Sequence, residues 1–456
     1  MPSSLRKVLN ELPTTLDDTY ERTLQEIPKE QCQHAHRLFQ CLVAAIRPLR
    51  VEELAEIFAM EFDPNTAPSV VEGWRPDNPE EAVLSACSTL IAVVEDDGSK
   101  CFQFSHFSVR EFLTSNRLRT SEVGNIQEYH ISLDGAHVTL ARACLAVLLQ
   151  LDEKTDKKRL ERFPLAFYAA QHWVDHAKFG DVTSQIQGTM ERLFDPRKPY
   201  LASWTWIYDV DRAWIRQSIE ALPEHPPELR PIPLYYVVLC GFTGLTRHLV
   251  VAHPEDVNAA CGYHGTPLHA ALYTGHLDAA RVLLDHGADV NLGDRDGRIP
   301  LVRAYDRQDL GSMRLLLECG ANADVQYGSF GLLSHHASYR GRAEVMQLLL
   351  EHNADANARC GKSWTPLHWA SAGGHAKVAQ LILEYGADVG ARSTTRNTAL
   401  HQASRNGHLE VVQVLLDHGA DLHVRGEFDW TPFQMATFMG RTEVAQLLLQ
   451  HGAEEE

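Results

Sequence analysis

Thr365-Pro366-Leu367-His368, Thr398-Ala399-Leu400-His401 and Thr431-Pro432-Phe433-Gln434 follow one another at intervals of 33 residues, and Thr266-Pro267-Leu268-His269 stands 99 residues before the first of them. Two worn copies, Ile299-Pro300-Leu301 and Leu332-Leu333-Ser334-His335, fill that gap in the same register. Each copy continues alike, as in Gly275-His276, Leu283-Leu284 and Gly287-Ala288-Asp289-Val290-Asn291. The chemistry of these positions predicts two helices per copy. The Thr266 hydroxyl suits an N-cap, and Pro267 suits the first helical position, where its missing N–H is no loss. Gly275 fits a left-handed stop before the second helix, and Gly287 ends that helix. The Ala-Asp-Val-Asn run then turns outward into a loop. One such pair cannot bury its own apolar face, so neighbours must stack.

This period with Thr-Pro-Leu-His resembles the ankyrin repeat. An earlier copy begins at Ile232-Pro233-Leu234-Tyr235 and runs through Gly241 and Leu249 to Asp256-Val257-Asn258, with one extra residue before the asparagine. That makes seven repeats, the first expected to abut the preceding helices as a cap. The last closes on Glu454-Glu455-Glu456 with no polar capping repeat. Ile299 and Leu332 replace the capping threonine, and a lost cap costs about 1 kcal/mol. The middle of the array is therefore expected to be its softest part.

The chain has 456 residues, 44% hydrophobic and 22% charged, which suits two or three soluble globular domains. A formal charge of −18 argues against sequence-independent binding to nucleic acid or anionic membrane. The apolar run Ile232 to Cys240 is too short to span a bilayer, and Met1 to Leu16 has no signal-peptide core. Nine scattered cysteines without a C-x-x-C pair read as reduced thiols. The expected location is the cytoplasm, with the nucleus as the alternative.

Residues 1–118 read as a small α+β domain. Helices are expected over Leu16–Ile27, Glu30–Ile46, Val51–Met60 and Glu80–Cys87, with Arg47-Pro48-Leu49-Arg50 as a breaker. Leu90–Glu95 and Lys100–Ser105 flank Asp96-Asp97-Gly98-Ser99, a hairpin turn, and a helix over Phe107–Thr114 follows. Helices followed by a two-stranded wing read as a winged helix. Residues 119–229 read as a helical connector, with helices over Ala136–Leu151 and Leu165–Ala177 and a charged loop or helix start over Asp152–Arg162. Tyr200, Trp204, Trp206, Tyr208 and Trp214 form an aromatic cluster, more often core than ligand platform. Residues 230–456 are the array. The fold class is thus mainly α: an ankyrin-repeat solenoid preceded by a helical connector and an α+β winged-helix domain.

Leu12-Pro-Thr-Thr-Leu-Asp-Asp-Thr-Tyr-Glu-Arg-Thr-Leu24, Arg47-Pro-Leu-Arg-Val-Glu-Glu-Leu-Ala-Glu56 and Phe104-Ser-His-Phe-Ser-Val-Arg-Glu-Phe-Leu113 resemble fungal NACHT–ankyrin proteins, NLR-like signalling ATPases of the STAND class. The matched part looks like the winged helix that follows their nucleotide-binding domain, of the GPI inositol-deacylase type. The resemblance continues through Pro164-Leu-Ala-Phe-Tyr-Ala-Ala-Gln-His-Trp173 and Leu193-Phe-Asp-Pro196 into the array. In that family the ATPase precedes the winged helix, and Met1 begins where it should already have ended. No G-x-x-x-x-G-K-[ST] occurs. Gly361-Lys362-Ser363 comes nearest, but Ala356 stands in place of the first glycine and the string lies between two repeats. The resemblance implies the regulatory and sensing half of such a receptor. The alternatives are a winged-helix DNA-binding regulator and a fragment of a NACHT ATPase whose catalytic domain lies upstream.

No residue set for catalysis, cofactor or metal emerges, and no small-molecule substrate is expected. His172 and His176 share the i, i+4 spacing of zinc proteases, but Trp173 stands where the general-base glutamate belongs. The motif histidines His269, His335, His368 and His401 read as structural, as do His276, His375 and His408. The DNA-binding alternative fares poorly because Glu80 to Cys87, the candidate recognition helix, has no Arg or Lys. A non-enzymatic protein-binding scaffold is the reading that remains. In ankyrin arrays the residues before the Thr and those near the end of the first helix face the concave side. By the repeat arithmetic these are Tyr263 and Tyr273, then Arg295, Arg298, Asp306 and Arg307. Tyr339, Arg340, Lys362, Trp364, Arg405 and Asn406 follow. The last repeat supplies Glu427, Phe428, Trp430, Phe438 and Met439, with local packing as the alternative for Phe438 and Met439. Tyrosine, tryptophan and arginine on one face is a composition suited to protein recognition.

Overall fold

The computed structural model describes residues 15–62, 69–70, 78–86, 89–96, 98–122, 125–212, 222–226 and 231–454. It is mainly helical and falls into two compact units. One lies within Met1–Leu249 with Cys261–Tyr263, the other within Val250–Ala260 and His264–Glu456.

The first unit opens on the helix Leu16–Gln25, started by a capping box between Thr15 and Asp18. Tyr20 and Leu24 turn inward from it, and the helix Cys32–Ala44 adds Leu38 and Phe39 to the core. The Arg47–Arg50 segment does more than break a helix. Leu49–Arg50 pairs antiparallel with Ser99–Phe104, Leu49 opposite Phe102, and Ser99–Phe104 pairs on its other edge with Ile91–Asp96. The wing therefore has three strands where the turn signal predicts two. Two residues are too few to show a strand period, so only the pairing identifies that edge. The helix Val51–Phe58 also stops short of Met60, which pairs with Val70 in a second ladder. The expected helix over Glu80–Cys87 runs over Pro79–Ala86, and Asp97 and Cys87 lie outside the described residues.

Leu133–Leu148 is the central helix of this unit. It starts three residues before the expected Ala136 because the Ser132 hydroxyl accepts from the Gly135 N–H (3.2 Å). The helices Cys32–Ala44, Ala166–Ala177 and Val182–Leu193 all pack on it. The last of these had no reading in the sequence. The Asp152–Arg162 stretch holds one turn, Lys157–Leu160, capped by Asp156. The aromatic cluster is core: Trp204 is fully buried, stands edge-on to Trp173 (centroids 5.3 Å) and donates its indole N–H to the Ala170 carbonyl (2.9 Å). Trp206 donates to the Pro223 carbonyl (3.1 Å), Tyr200 and Tyr208 are half-buried, and Trp214 lies outside the described residues. The helix Pro233–Leu239 is buried along its whole length in the same unit, and Tyr235 donates its hydroxyl to Asp211 (2.7 Å). His176 is held by the Tyr168 hydroxyl and by the His137 ring, each at 2.9 Å. Burial drives its pKa down to about 3.

The second unit stacks six helix pairs: Pro267–Thr274 with Leu277–Asp285, Pro300–Asp306 with Leu310–Glu318, Leu333–Tyr339 with Ala343–Glu351, Pro366–Gly373 with Ala376–Glu384, Ala399–Asn406 with Leu409–Asp417, and Pro432–Phe438 with Thr442–Gln450. The second helices form one continuous row, packed each on the next. Leu367, Ile382, Leu400 and Leu415 fill the space between the rows. Two polar ties repeat along the array. The motif histidine accepts from the N-cap backbone N–H through Nδ1 (Thr365 to His368, 3.2 Å). Its Nε2 then carries the proton and donates to a carbonyl of the next repeat: Arg298, Ala358, Asn397 or Trp430, at 3.0–3.1 Å. The asparagine ending Ala-Asp-Val-Asn accepts the amide N–H of the following repeat, as Asn258 does from Asp289 (2.8 Å).

Between the two helices of a pair the chain passes through the left-handed region, at Gly275, Gly341, Gly374, Gly407 and Gly440. In the third repeat Gln308 occupies that position with φ 59°. A side chain there costs about 1–2 kcal/mol, of which glycine's extra unfolded-state entropy returns about half. Gln308→Gly should therefore stabilise the array by about 0.5–1 kcal/mol. Urea unfolding of the two full chains tests this, and a lower midpoint for the variant would contradict it.

Candidate functional site

Four of the loops that lead to a Thr position close as uniform turns. The N–H five residues before the Thr position donates to the carbonyl one before it: Asp294 to Arg298 (2.9 Å), Cys360 to Trp364 (3.0 Å), Ser393 to Asn397 (2.9 Å) and Gly426 to Trp430 (2.8 Å). The residue two before the Thr is left-handed in each, as Gly297, Ser363, Arg396 and Asp429. This geometry turns the flanking side chains toward the end of the first helix. Lys362 and Ser363 sit on the tip of such a turn, which is what the Gly-Lys-Ser string is for.

The predicted positions fall into groups. Tyr273 stacks on His264 (3.7 Å) and carries the Arg307 guanidinium over its ring (4.6 Å). Arg298 pairs with Asp306 (3.4 Å), and Arg295 is exposed. Tyr339 is 41% exposed and stands edge-on to Trp369 (5.5 Å), which leans on Trp364 (4.7 Å). Arg340 and Lys362 are exposed beside them in sequence, and Arg405 is exposed in the next repeat. Phe428 is 74% exposed and touches Trp430 (5.6 Å), which packs on Phe438 (4.6 Å). Two positions depart from expectation. Asn406 donates its amide to the Ala372 carbonyl (3.1 Å), a tie between repeats. Tyr263 is exposed and belongs to the first unit, whereas the other predicted positions belong to the second.

The sequence reading missed the centre of the site. Phe330 lies 5.7 Å from Trp369 and 6.0 Å from Tyr339, joining the third loop to the fifth repeat. His336 carries the ribbon onward to Tyr327 (4.6 Å), and Tyr327 to Tyr305 (5.3 Å). Trp369 stands four residues after its Thr, inside the first helix. Arg303 and His336 occupy that position in other repeats and also reach back to their loops, Arg303 to Asp294 (2.6 Å). That shared register was the available signal. Phe330 was hidden because it stands two residues before the Thr position, here Leu332, an offset at which the arithmetic expects no surface residue.

The rings meet at 4.7–6.0 Å and at tilts of 31–78°. They fill one another's space and frame no opening wide enough for a small cation. Burial lowers the His336 pKa and raises that of Tyr305 to about 12, so both stay neutral near pH 7. The result is a partly exposed apolar ridge. Among the described residues no group of three or more His, Cys, Asp or Glu is placed to hold a metal ion, and no helix is long and apolar enough to cross a membrane.

Comparison with known proteins agrees with this architecture. Residues 376–416 and 400–449 match "Ankyrin repeats (many copies)", and 234–327 and 331–393 match "Ankyrin repeats (3 copies)". Residues 4–124 match "GPI inositol-deacylase, winged helix domain". The chain is 29% identical over 301 residues to the azaphilone pigments biosynthesis cluster protein L of Monascus ruber, covering 62% of this chain and 61% of that protein. A 59-residue segment, 13% of the chain, is 39% identical to alpha-latrocrustotoxin-Lt1a of Latrodectus tredecimguttatus, of which it covers 4%. The chain thus spans about three fifths of the fungal relative's length and a small part of the toxin's.

Proposed function

We propose that this chain, in which ankyrin repeats follow a winged helix domain, is a non-enzymatic scaffold that captures a protein partner across the ridge of Phe330, Tyr339, Trp364 and Trp369. The observation that carries the reading is that these four rings, drawn from two loops and two helices, converge on one partly exposed face. Large rings bring contact area at low entropic cost, and Trp and Tyr dominate binding energy where proteins meet. The setting we infer from the resemblance is NLR-like signalling in a fungus, in the cytoplasm or nucleus. Similarity to a fungal protein supports the fungal part of that setting. DNA binding by the winged helix is disfavoured, since Pro79–Ala86 carries no base and Glu80 on it holds Lys100 (2.6 Å).

Trp364→Ala with Trp369→Ala should weaken partner capture by about 2 kcal/mol or more, roughly 30-fold, with the helix content unchanged. Capture from a fungal extract by full-length wild type and variant, with circular dichroism beside it, measures this. Equal capture by the folded variant would move the surface elsewhere.

A further inference from the structure

The charges around the ridge are unevenly satisfied. Every acid at these register positions already has a partner: Asp294 and Asp296 hold Arg303, Asp306 holds Arg298 and accepts from Tyr327 (2.8 Å), the Glu427 carboxylate accepts from the Asn397 amide (3.4 Å), and Asp429 pairs with Arg425. The cations do not. Arg295, Lys362 and Arg405 are exposed, and among the described residues no ion pair reaches their side chains. Arg340, next to Tyr339, has its Nε 3.5 Å from the His336 ring and no ion pair among the described residues. This happens in a chain of formal charge −18. The unpaired charge flanking the ridge is therefore positive, against the sign of the whole protein.

From this we infer that the occupant of the ridge is an acidic segment of a protein partner, an extended stretch whose apolar or aromatic residues lie on Phe330, Tyr339 and Trp369 while its carboxylates reach Arg340, Lys362 and Arg405. The inference rests on the proposed function above and names the class of partner. Carboxylates meeting these cations form charge-assisted bonds without displacing any internal pair. A basic segment would find every acid engaged. A polyanion such as single-stranded nucleic acid also meets the cations, but the net negative field of the chain opposes it over many phosphates. The rings are also turned against one another instead of standing free to stack on bases.

The test is selection of a displayed random peptide library on the immobilised full chain, repeated on Arg340→Glu/Lys362→Glu and on Trp364→Ala/Trp369→Ala. Net-negative peptides with an aromatic or aliphatic anchor are expected, losing at least about tenfold in affinity on the charge-reversed variant, the scale of one charge-assisted bond. They should be lost on the tryptophan variant too. Neutral or basic peptides that still depend on the tryptophans would overturn the acidic assignment and leave the ridge as the docking surface. Peptides indifferent to the tryptophans would overturn the ridge itself. A twenty-residue oligothymidylate that binds tightly at 150 mM salt and competes with the peptides would assign the face to nucleic acid instead.

Discussion

Lowering the pH from 7 to 5 should weaken the repeat array by more than about 2 kcal/mol, with His368 alone supplying about that much. His368 is buried, its Nδ1 accepts from the Thr365 N–H, and its pKa is lowered to about 4, chiefly by burial. The unfolded chain titrates near 6.5, so below that value it binds protons that the folded array refuses. Stability is then unaffected above about pH 6.5 and falls by about 1.4 kcal/mol per unit from there toward pH 4. Burial shifts His269, His335 and His401 the same way, so their losses add. A proton on Nδ1 also removes the acceptor that closes the N-cap. Urea unfolding at pH 7 and pH 5 measures the change, and His368→Gln should flatten part of it. A midpoint constant across that range would show that the imidazoles ionise inside the fold.

Glu53→Ala should destabilise the winged-helix unit by about 3 kcal/mol. Glu53 is 2% exposed and takes two bonds from Arg47 (2.5 and 2.8 Å) and one from the Arg50 N–H (2.8 Å). Its removal strands the Arg47 guanidinium over the Tyr168 ring and leaves the start of the Val51–Phe58 helix uncapped. Arg47 is one-third exposed, so water recovers part of the loss and the figure sits at the lower end for a broken buried pair. Glu53→Gln, which keeps an acceptor for the Arg50 N–H, should cost less. Denaturant unfolding compares the three chains. A loss below about 1 kcal/mol for the alanine variant would mean that Arg47 rehydrates freely.

The array was legible because its period, its caps and its glycines are local. Thr365, Gly374 and His368 each do what their chemistry at that spacing predicts. The three-stranded wing was not legible, since Leu49 declares itself only by lying opposite Phe102. Neither was the Val182–Leu193 helix, whose burial rests on Val182, Ile186, Met190 and Leu193 among polar neighbours. Of the four rings that meet in the ridge, the arithmetic named Tyr339 and Trp364. It placed Asn406 on the surface when its amide ties two repeats together, and it passed over Phe330 and Trp369. Those two become visible only when loop and helix are brought together, because contact between repeats is a property of the stack.

Hydrogen exchange of the full chain, alone and with the tightest peptide selected on it, tests the central claim most directly. The account predicts slowed exchange confined to the loops and first helices, over 326–340 and 359–373, with 343–351 and 376–384 unchanged. Protection on those second helices, with the loops unaffected, would contradict it.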